Sequence, residues 1–306
     1  MKELAIVIPA YKDLFLEDTL TSIANQTCKN FTLYVGDDNS PHDLYKIVRM
    51  FEQKIDIVYK KFDQNIGGTD LVSQWERCID MTNKEPWIWL FSDDDIMEPT
   101  CVERFYATVQ TGRAKFDLYH FDVNIINPQK EIIYRTDFPE VVDSEYLFLN
   151  KIKGTINLFA VEFVFSREVY HRCHGFQNFD MAWGSDIATW LKFGLSGIKT
   201  ISGPRVNWRS SGENITTQND RVILGRKMNA DISYLLWVKN FWRMQGKKKD
   251  RIIDSAFIKI FLGYHNYFSF KKCWMTSKEF LNQGNKLYLL MQIYLRYIPY
   301  KIYKLL

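Results

Sequence analysis

The chain has no Cys-x-x-Cys pair, and its histidines (His42, His120, His171, His174, His265) show no metal-ligand spacing. Its five cysteines, Cys28, Cys78, Cys101, Cys173 and Cys273, are scattered. That pattern argues for free thiols in a reducing compartment and against a structural zinc site. No uninterrupted apolar stretch reaches the ~20 residues needed to span a bilayer. Met1-Lys2-Glu3-Leu4 runs into an apolar strand without a signal-peptide layout, so a cytoplasmic protein is expected. There is no P-loop, no Gly-x-Ser-x-Gly elbow and no dinucleotide fingerprint, and Gly67-Gly68 is too little to stand for one. Internal repeats and low-complexity tracts are absent as well.

What is present is a globular composition: 306 residues, 46% hydrophobic and 16% aromatic, enough for a substantial core and an appendage. The net charge of +4 hides an asymmetry. Residues 238–306 hold 14 Lys or Arg against 3 acidic residues, so the remainder is acidic. An acidic body argues against nucleic-acid binding, although the tail is basic.

Short apolar runs alternate with amphipathic segments through the first half. Strands are predicted at 4–8, 31–36, 55–59, 88–91 and 118–123, and helices at 14–25, 43–53, 69–81 and 99–111. The alternation predicts a mostly parallel α/β sheet flanked by helices. Shorter strands are predicted at 132–134, 162–165 and 198–201, a helix at 185–193, and a wholly helical region beyond 217 with Lys247–Lys249 as a turn. The expected organisation is a domain over 1–215, divided near 124, followed by a basic helical extension over 216–306. In such sheets ligands bind beyond the carboxyl ends of the strands. Polar clusters fall there: Pro9-Ala10-Tyr11, Asp37-Asp38-Asn39-Ser40, Asn65-Ile66-Gly67 and Ser92-Asp93-Asp94-Asp95.

The last cluster is the sharpest. A hydrophobic strand ending in three carboxylates is costly unless its end opens on something positive. A hard divalent cation with oxygen ligands is the natural candidate. Pro99 marks the first turn of the next helix, so the aspartates stand too far upstream to cap it. Elsewhere the readings stay open. Asp38 and Asn39 suit an Asx-type turn, whereas Asp37 is placed to accept hydrogen bonds from a base or ribose. Ser185 or Asp186 suits a helix cap, and Asp186 equally suits a general base facing a cleft. In the tail, Asn285, Gln292 and Arg296 share a helix face amid Leu, Tyr, Met and Ile. That helix either packs on the body or lies on an anionic membrane surface.

Assembled, these motifs resemble the family 2 inverting glycosyltransferases of the GT-A fold. The resemblance covers residues 3–212. It is carried by Ile-Val-Ile-Pro-Ala-Tyr (6–11), Val-Gly-Asp-Asp-Asn-Ser (35–40), Asn65-Ile-Gly67, Phe-Ser-Asp-Asp-Asp-Ile-Met-Glu-Pro (91–99) and Gly175-Phe176 with Ser185-Asp186. It implies a Rossmann-like mixed sheet and transfer of a sugar from a nucleotide-diphospho-sugar, usually a uridine derivative. The acceptor would be a glycan or lipid-linked oligosaccharide of bacterial surface polysaccharide synthesis. It also implies that Pro9 and Tyr11 line the nucleotide pocket, Asp37 meets the uracil, and Asn65 and Gly67 lie under the base. Asp93 would meet the ribose, Asp94 with Asp95 would hold Mn²⁺ or Mg²⁺, and Asp186 would be the base. The chain departs from the family pattern at Ser92, Ser185 and Leu71-Val-Ser, and lacks a late histidine near Trp208-Arg209-Ser210-Ser211. The donor-phosphate arginine is therefore expected from Arg205 or Arg209. The alternatives are a sugar nucleotidyltransferase or an inactive sugar- or lipid-binding relative.

Overall fold

The computed structural model describes residues 2–111, 116–283 and 286–305, with side chains through Leu295. Within them lies a mixed sheet of strands β1 (Leu4–Ala10), β2 (Phe31–Asp37), β3 (Ile57–Lys61), β4 (Trp87–Leu90), β5 (Ile96–Met97), β6 (Leu118–Ile126), β7 (Ile132–Thr136), β8 (Val141–Val142), β9 (Phe163–Ser166) and β10 (Ile198–Arg209). The spatial order is β3-β2-β1-β4-β9-β6-β10-β5, with β7 on β6 and β8 on β10. From β3 to β4 every pairing is parallel. Antiparallel β9 then separates β4 from β6, and β6 and β10 run parallel again.

The parallel half follows from its residues. Leu4–Ile8 and Leu33–Val35 are fully buried, as a strand covered by helices on both faces must be. Each Leu, Ile or Val among them contributes about 1.5–3 kcal/mol on burial. Trp89 on β4 stacks on Phe121 at 4.9 Å and donates its indole N–H to the Val161 carbonyl at 2.7 Å. At Gly36 a Cβ would stand 2.3 Å from Cys78 Sγ. Only glycine lets the helix Leu71–Ile79 press so close to the end of β2.

Several sequence expectations shift. The helix expected over 43–53 is only Leu44–Val48. Two-residue strands β5 and β8 and the helix Ser144–Lys153 have no periodic signal long enough to announce them. Strand β10 runs far beyond 201 because a bulge between Ile201 and Arg205, with Gly203 at φ +111°, lets it resume pairing with β6 through Arg209.

Two compact units form: residues 1–178 with 185–215, and residues 179–184 with 216–306. The second unit is helical, with Arg221–Met244, Asp250–His265, Phe270–Thr276, Lys278–Gln283 and Lys286–Leu305. Inside it, buried Lys239 pairs with Asp254 at 3.0 Å, and Asp231 accepts from Trp183 Nε1 and Tyr264 Oη. On its last helix Leu289 and Ile293 are buried, while Leu287, Met291, Tyr294 and Leu295 are exposed along one face. Gln292 is half-buried. Asn285 lies outside the described residues, as does the Arg296 side chain. No helix among the described residues is long and apolar enough to cross a membrane.

Candidate active site

Four loops meet at the carboxyl edge of β1, β2, β3 and β4, and carboxylates tie them together. After β1, the backbone N–H groups of Tyr11 and Lys12 both donate to Asp93 Oδ2 at 2.8 Å. Tyr11 leaves its ring exposed, and its carbonyl accepts from Ser40 Oγ at 2.6 Å. Pro9, half-buried, precedes this clamp. Asp93 thus joins β1 to β4. Burial first, and the neighbouring Asp94 charge second, push its carboxyl up to about 6.

After β2, Asp37 is fully buried and both its oxygens are engaged, Oδ1 by Ser40 N–H at 2.7 Å and Oδ2 by the Tyr59 hydroxyl. Burial and this carboxylate push the Tyr59 phenol upward. Asp38, which the sequence presents as a turn residue, does more. It accepts from Ile66 N–H at 2.9 Å, Gly67 N–H at 2.8 Å and the Arg77 guanidinium. It thereby holds the Asn65–Gly67 loop against the end of β2, and Asn65 Nδ2 donates to the Asp38 carbonyl at 3.1 Å. A Cβ on Gly67 would fall 2.6 Å from Asp38 Oδ2, so that approach requires glycine. The only sequence signal for this role of Asp38 is its adjacency to Asp37.

The three consecutive aspartates part company. Asp95 turns inward: its Oδ1 accepts from Arg209 N–H at 2.6 Å and its carbonyl accepts from Thr19 Oγ1. Burial, reinforced by the Asp94 charge, pushes its carboxyl well up. Its place is therefore a brace between β4 and β10. Asp94 instead faces polar groups. Ser92 Oγ donates to its Oδ1, while Ser211 Oγ at 3.1 Å and Asn214 Nδ2 at 3.5 Å reach its Oδ2, and Lys12 Nζ stands 4.0 Å from that same oxygen. Ser211 occupies the stretch in which the family pattern would place a histidine.

Among the described residues no three His, Cys, Asp or Glu side chains are gathered to hold a metal by themselves. The donor set nevertheless suits a hard divalent ion completed by a ligand. One carboxylate oxygen and the Ser211 hydroxyl are oxygen donors of the kind Mg²⁺ and Mn²⁺ take, and such ions commonly draw their remaining ligands from phosphate and water, whereas Asn214 turns its amide nitrogen to Asp94 and its Oδ1 to Ser211.

The arginines expected to face a donor phosphate are committed elsewhere. Arg209 is fully buried, donating to the Asp94 carbonyl at 2.8 Å, the Pro128 carbonyl at 3.0 Å and Asp18 at 3.1 Å. Arg205 is held by Asp137 and the Thr136 carbonyl. The sequence does not reveal this, because their partners come from distant loops.

Asp186 lies in the first turn of the helix Ser185–Phe193 and is half-buried. Its Oδ1 accepts from Ile187 N–H at 2.8 Å. Burial raises its carboxyl above the ordinary aspartate range. Fully buried Glu162, for which the sequence carries no signal, feels the Asp186 charge and is pushed well up, mainly by burial. Both Glu162 oxygens accept from Phe159 N–H, at 2.9 and 3.0 Å. The stretch before Asp186 holds left-handed backbone at His174 (φ +55°), Met181 (φ +59°) and Ala182 (φ +54°).

With the geometry in place, the chain can be set beside known proteins. Its fold is similar to that of S. aureus TarS residues 1–349, solved in complex with UDP-GlcNAc, at 12% identity and a TM-score of 0.57 over 92% of each chain. The same TarS residues in complex with UDP align with a TM-score of 0.56 at 14% identity, again over 92% of each chain. The mannosyltransferase PcManGT from Pyrobaculum calidifontis, in complex with GDP-Man and Mn²⁺, aligns with a TM-score of 0.52 at 14% identity, over 98% of this chain and 82% of that one. At such identities the likeness is one of fold. No curated protein matches the chain. The sequence pattern of glycosyl transferase family 2 matches residues 5–173, more than half of the chain, and the chain belongs to that family.

Proposed function

We propose that the chain transfers a sugar from a nucleotide-diphospho-sugar to an acceptor hydroxyl, with inversion at the anomeric carbon. The observation that carries this reading is the set of carboxylate clamps at the strand ends. Asp93 fixes the loop after β1, and Asp38 fixes the loop after β3. Between them they leave Tyr11 exposed at the edge of the sheet. Pro9, Tyr11, Asn65 and Gly67 frame the nucleotide, with Asp37 supporting the base-side wall from beneath. TarS in complex with UDP-GlcNAc and PcManGT in complex with GDP-Man support a donor of this class.

Asp94, with the Ser211 hydroxyl beside it, would hold Mn²⁺ or Mg²⁺. Such an ion, when bound, offsets the charge that builds on a departing diphosphate. Asp95 contributes indirectly, by securing β10 behind Asp94. Asp186 takes the proton of the attacking hydroxyl. Its raised carboxyl makes it a better proton acceptor than an ordinary aspartate once ionised. Attack opposite the diphosphate inverts the anomeric centre.

Incubation with UDP-, GDP- and dTDP-sugars and Mn²⁺ tests the reading. Release of the nucleoside diphosphate from at least one donor is expected. Saturable nucleotide-sugar binding with no turnover, with or without acceptor glycans, would leave the inactive-binder reading in its place.

The acceptor we propose is a glycan or lipid-linked oligosaccharide at the inner face of a membrane, with residues 216–306 lying on the anionic surface. The exposed Leu287, Met291, Tyr294 and Leu295 face and the basic excess of the tail support this. Co-sedimentation with phosphatidylglycerol vesicles but not with phosphatidylcholine vesicles is expected; equal recovery from both would remove the electrostatic part of the proposal.

A further inference from the structure

The donor site is short of positive charge. Asp93, Asp94 and Asp95 stand in a row, and a nucleoside diphosphate brings more negative charge to the same edge. The arginines nearby do not answer it. Arg209 and Arg205 are committed as described, and Arg77 directs its guanidinium to Asp38 and the Gln64 carbonyl.

Lys12 is differently placed. Its backbone N–H is clamped to Asp93 Oδ2 at 2.8 Å, which fixes where its side chain departs. Its ammonium sits 4.0 Å from Asp94 Oδ2 and 3.1 Å from the Glu213 carbonyl, and the side chain keeps 35% of its surface exposed. An ammonium offers three donors and can turn them to a new acceptor without breaking a rigid fork. Here it holds one carbonyl and a long contact to a carboxylate, so donor capacity remains for an incoming anion.

We propose that Lys12 is the diphosphate-facing cation of the donor site, gripping the nucleotide's phosphates directly and sharing Asp94 with the divalent ion. The assignment rests on the nucleotide-sugar reading above. It implies that diphosphate recognition does not depend wholly on metal. It also implies that, with no nucleotide present, the ammonium and the ion oppose each other at Asp94 Oδ2.

Calorimetric titration of UDP, GDP and uridine into the wild-type chain, Lys12→Ala and Lys12→Arg, in Mn²⁺ and in EDTA, tests this. The wild type is expected to prefer UDP or GDP over uridine in both conditions. Lys12→Ala should lose about tenfold of that preference in EDTA with uridine binding unchanged, and Lys12→Arg should recover most of it. Mn²⁺ titration by electron paramagnetic resonance should show tighter metal binding to nucleotide-free Lys12→Ala than to the wild type. A diphosphate preference untouched in Lys12→Ala under both conditions overturns the assignment while leaving the nucleotide reading standing. If the wild type binds neither UDP nor GDP, the nucleotide reading fails and the role of Lys12 falls with it.

Discussion

The donor edge and the stretch leading to Asp186 are held in contrasting ways. At the donor edge, Asp37, Asp38, Asp93 and Asp95 each accept a backbone N–H, and apart from the local Asp37–Ser40 bond these side chain-to-backbone hydrogen bonds tie together segments distant in sequence. Near Asp186 the side chain accepts N–H groups of its own turn, that of Ile187 among them, and the preceding segment combines left-handed backbone at His174, Met181 and Ala182 with bonds from Phe176 N–H to Glu76 and Gln177 N–H to Thr189 Oγ1. The first arrangement fixes the loops rigidly, as the proposed seat for a nucleotide-sugar requires. The second holds its carboxylate by N–H groups of its own turn, which, on the reading proposed above, suits a group that picks up a proton and gives it back.

Changes at Asp186 should give the largest effect and separate the two regions most cleanly. Asp186→Asn should lower transfer by about 10²–10⁴ while nucleotide affinity stays within error of wild type. Unchanged turnover would remove Asp186 from the role of base. Because burial raises this carboxyl, the acid limb of the pH–rate profile should lie above the ordinary aspartate range. The donor edge should respond in the opposite sense. Asp38→Asn removes the charge facing Arg77 and one of the acceptors for the Ile66 and Gly67 N–H groups. A loss of about 2–3 kcal/mol in unfolding free energy is expected, together with weaker nucleotide binding. A drop in stability with intact affinity would show that the Asn65–Gly67 loop does not form the nucleotide seat.

Glu162 sharpens the comparison through pH. A carboxyl whose folded value is raised binds its proton more tightly folded than unfolded, so stability falls as pH climbs above about 4.5, the unfolded value. Glu162→Gln removes that loss. Its unfolding midpoint should exceed that of the wild type at pH 8 and nearly match it at pH 4; an equal difference at both pH values would place the effect elsewhere. The smallest change concerns backbone. Ala182→Gly at φ +54° should relieve left-handed strain and raise the unfolding midpoint by about 1–2 °C. A fall in the midpoint would mean that the methyl group contributes more by packing than the conformation costs.

The parallel half of the sheet can be read from the chain because each strand announces itself locally, by an apolar run closed by a polar loop. The positions of Asp37, Asn65, Gly67, Asp93 and Asp94 at the strand ends follow from that same rule. What local pattern does not supply is pairing across distance. Asp38 looks like a turn residue because its partners, Ile66, Gly67 and Arg77, lie some 28 to 39 residues away. Arg209 looks like a phosphate ligand because nothing near it in sequence reveals Asp18 or the Pro128 carbonyl. Glu162 is silent because burial of a single glutamate beside β9 leaves no periodic trace.

The bond from Arg209 N–H to Asp95 Oδ1 crosses 114 residues. Until β10 is laid beside β6 and β5, Asp95 has no backbone donor, and Asp94 lacks Ser211 and Asn214. The most acidic point of the sheet is thus completed by one of its last strands, and contacts so distant in sequence form late and slowly. During synthesis, the first half would emerge carrying unpaired charge, and a fragment ending before residue 209 should not behave as an independent module that binds nucleotide. The acidic edge is finished last.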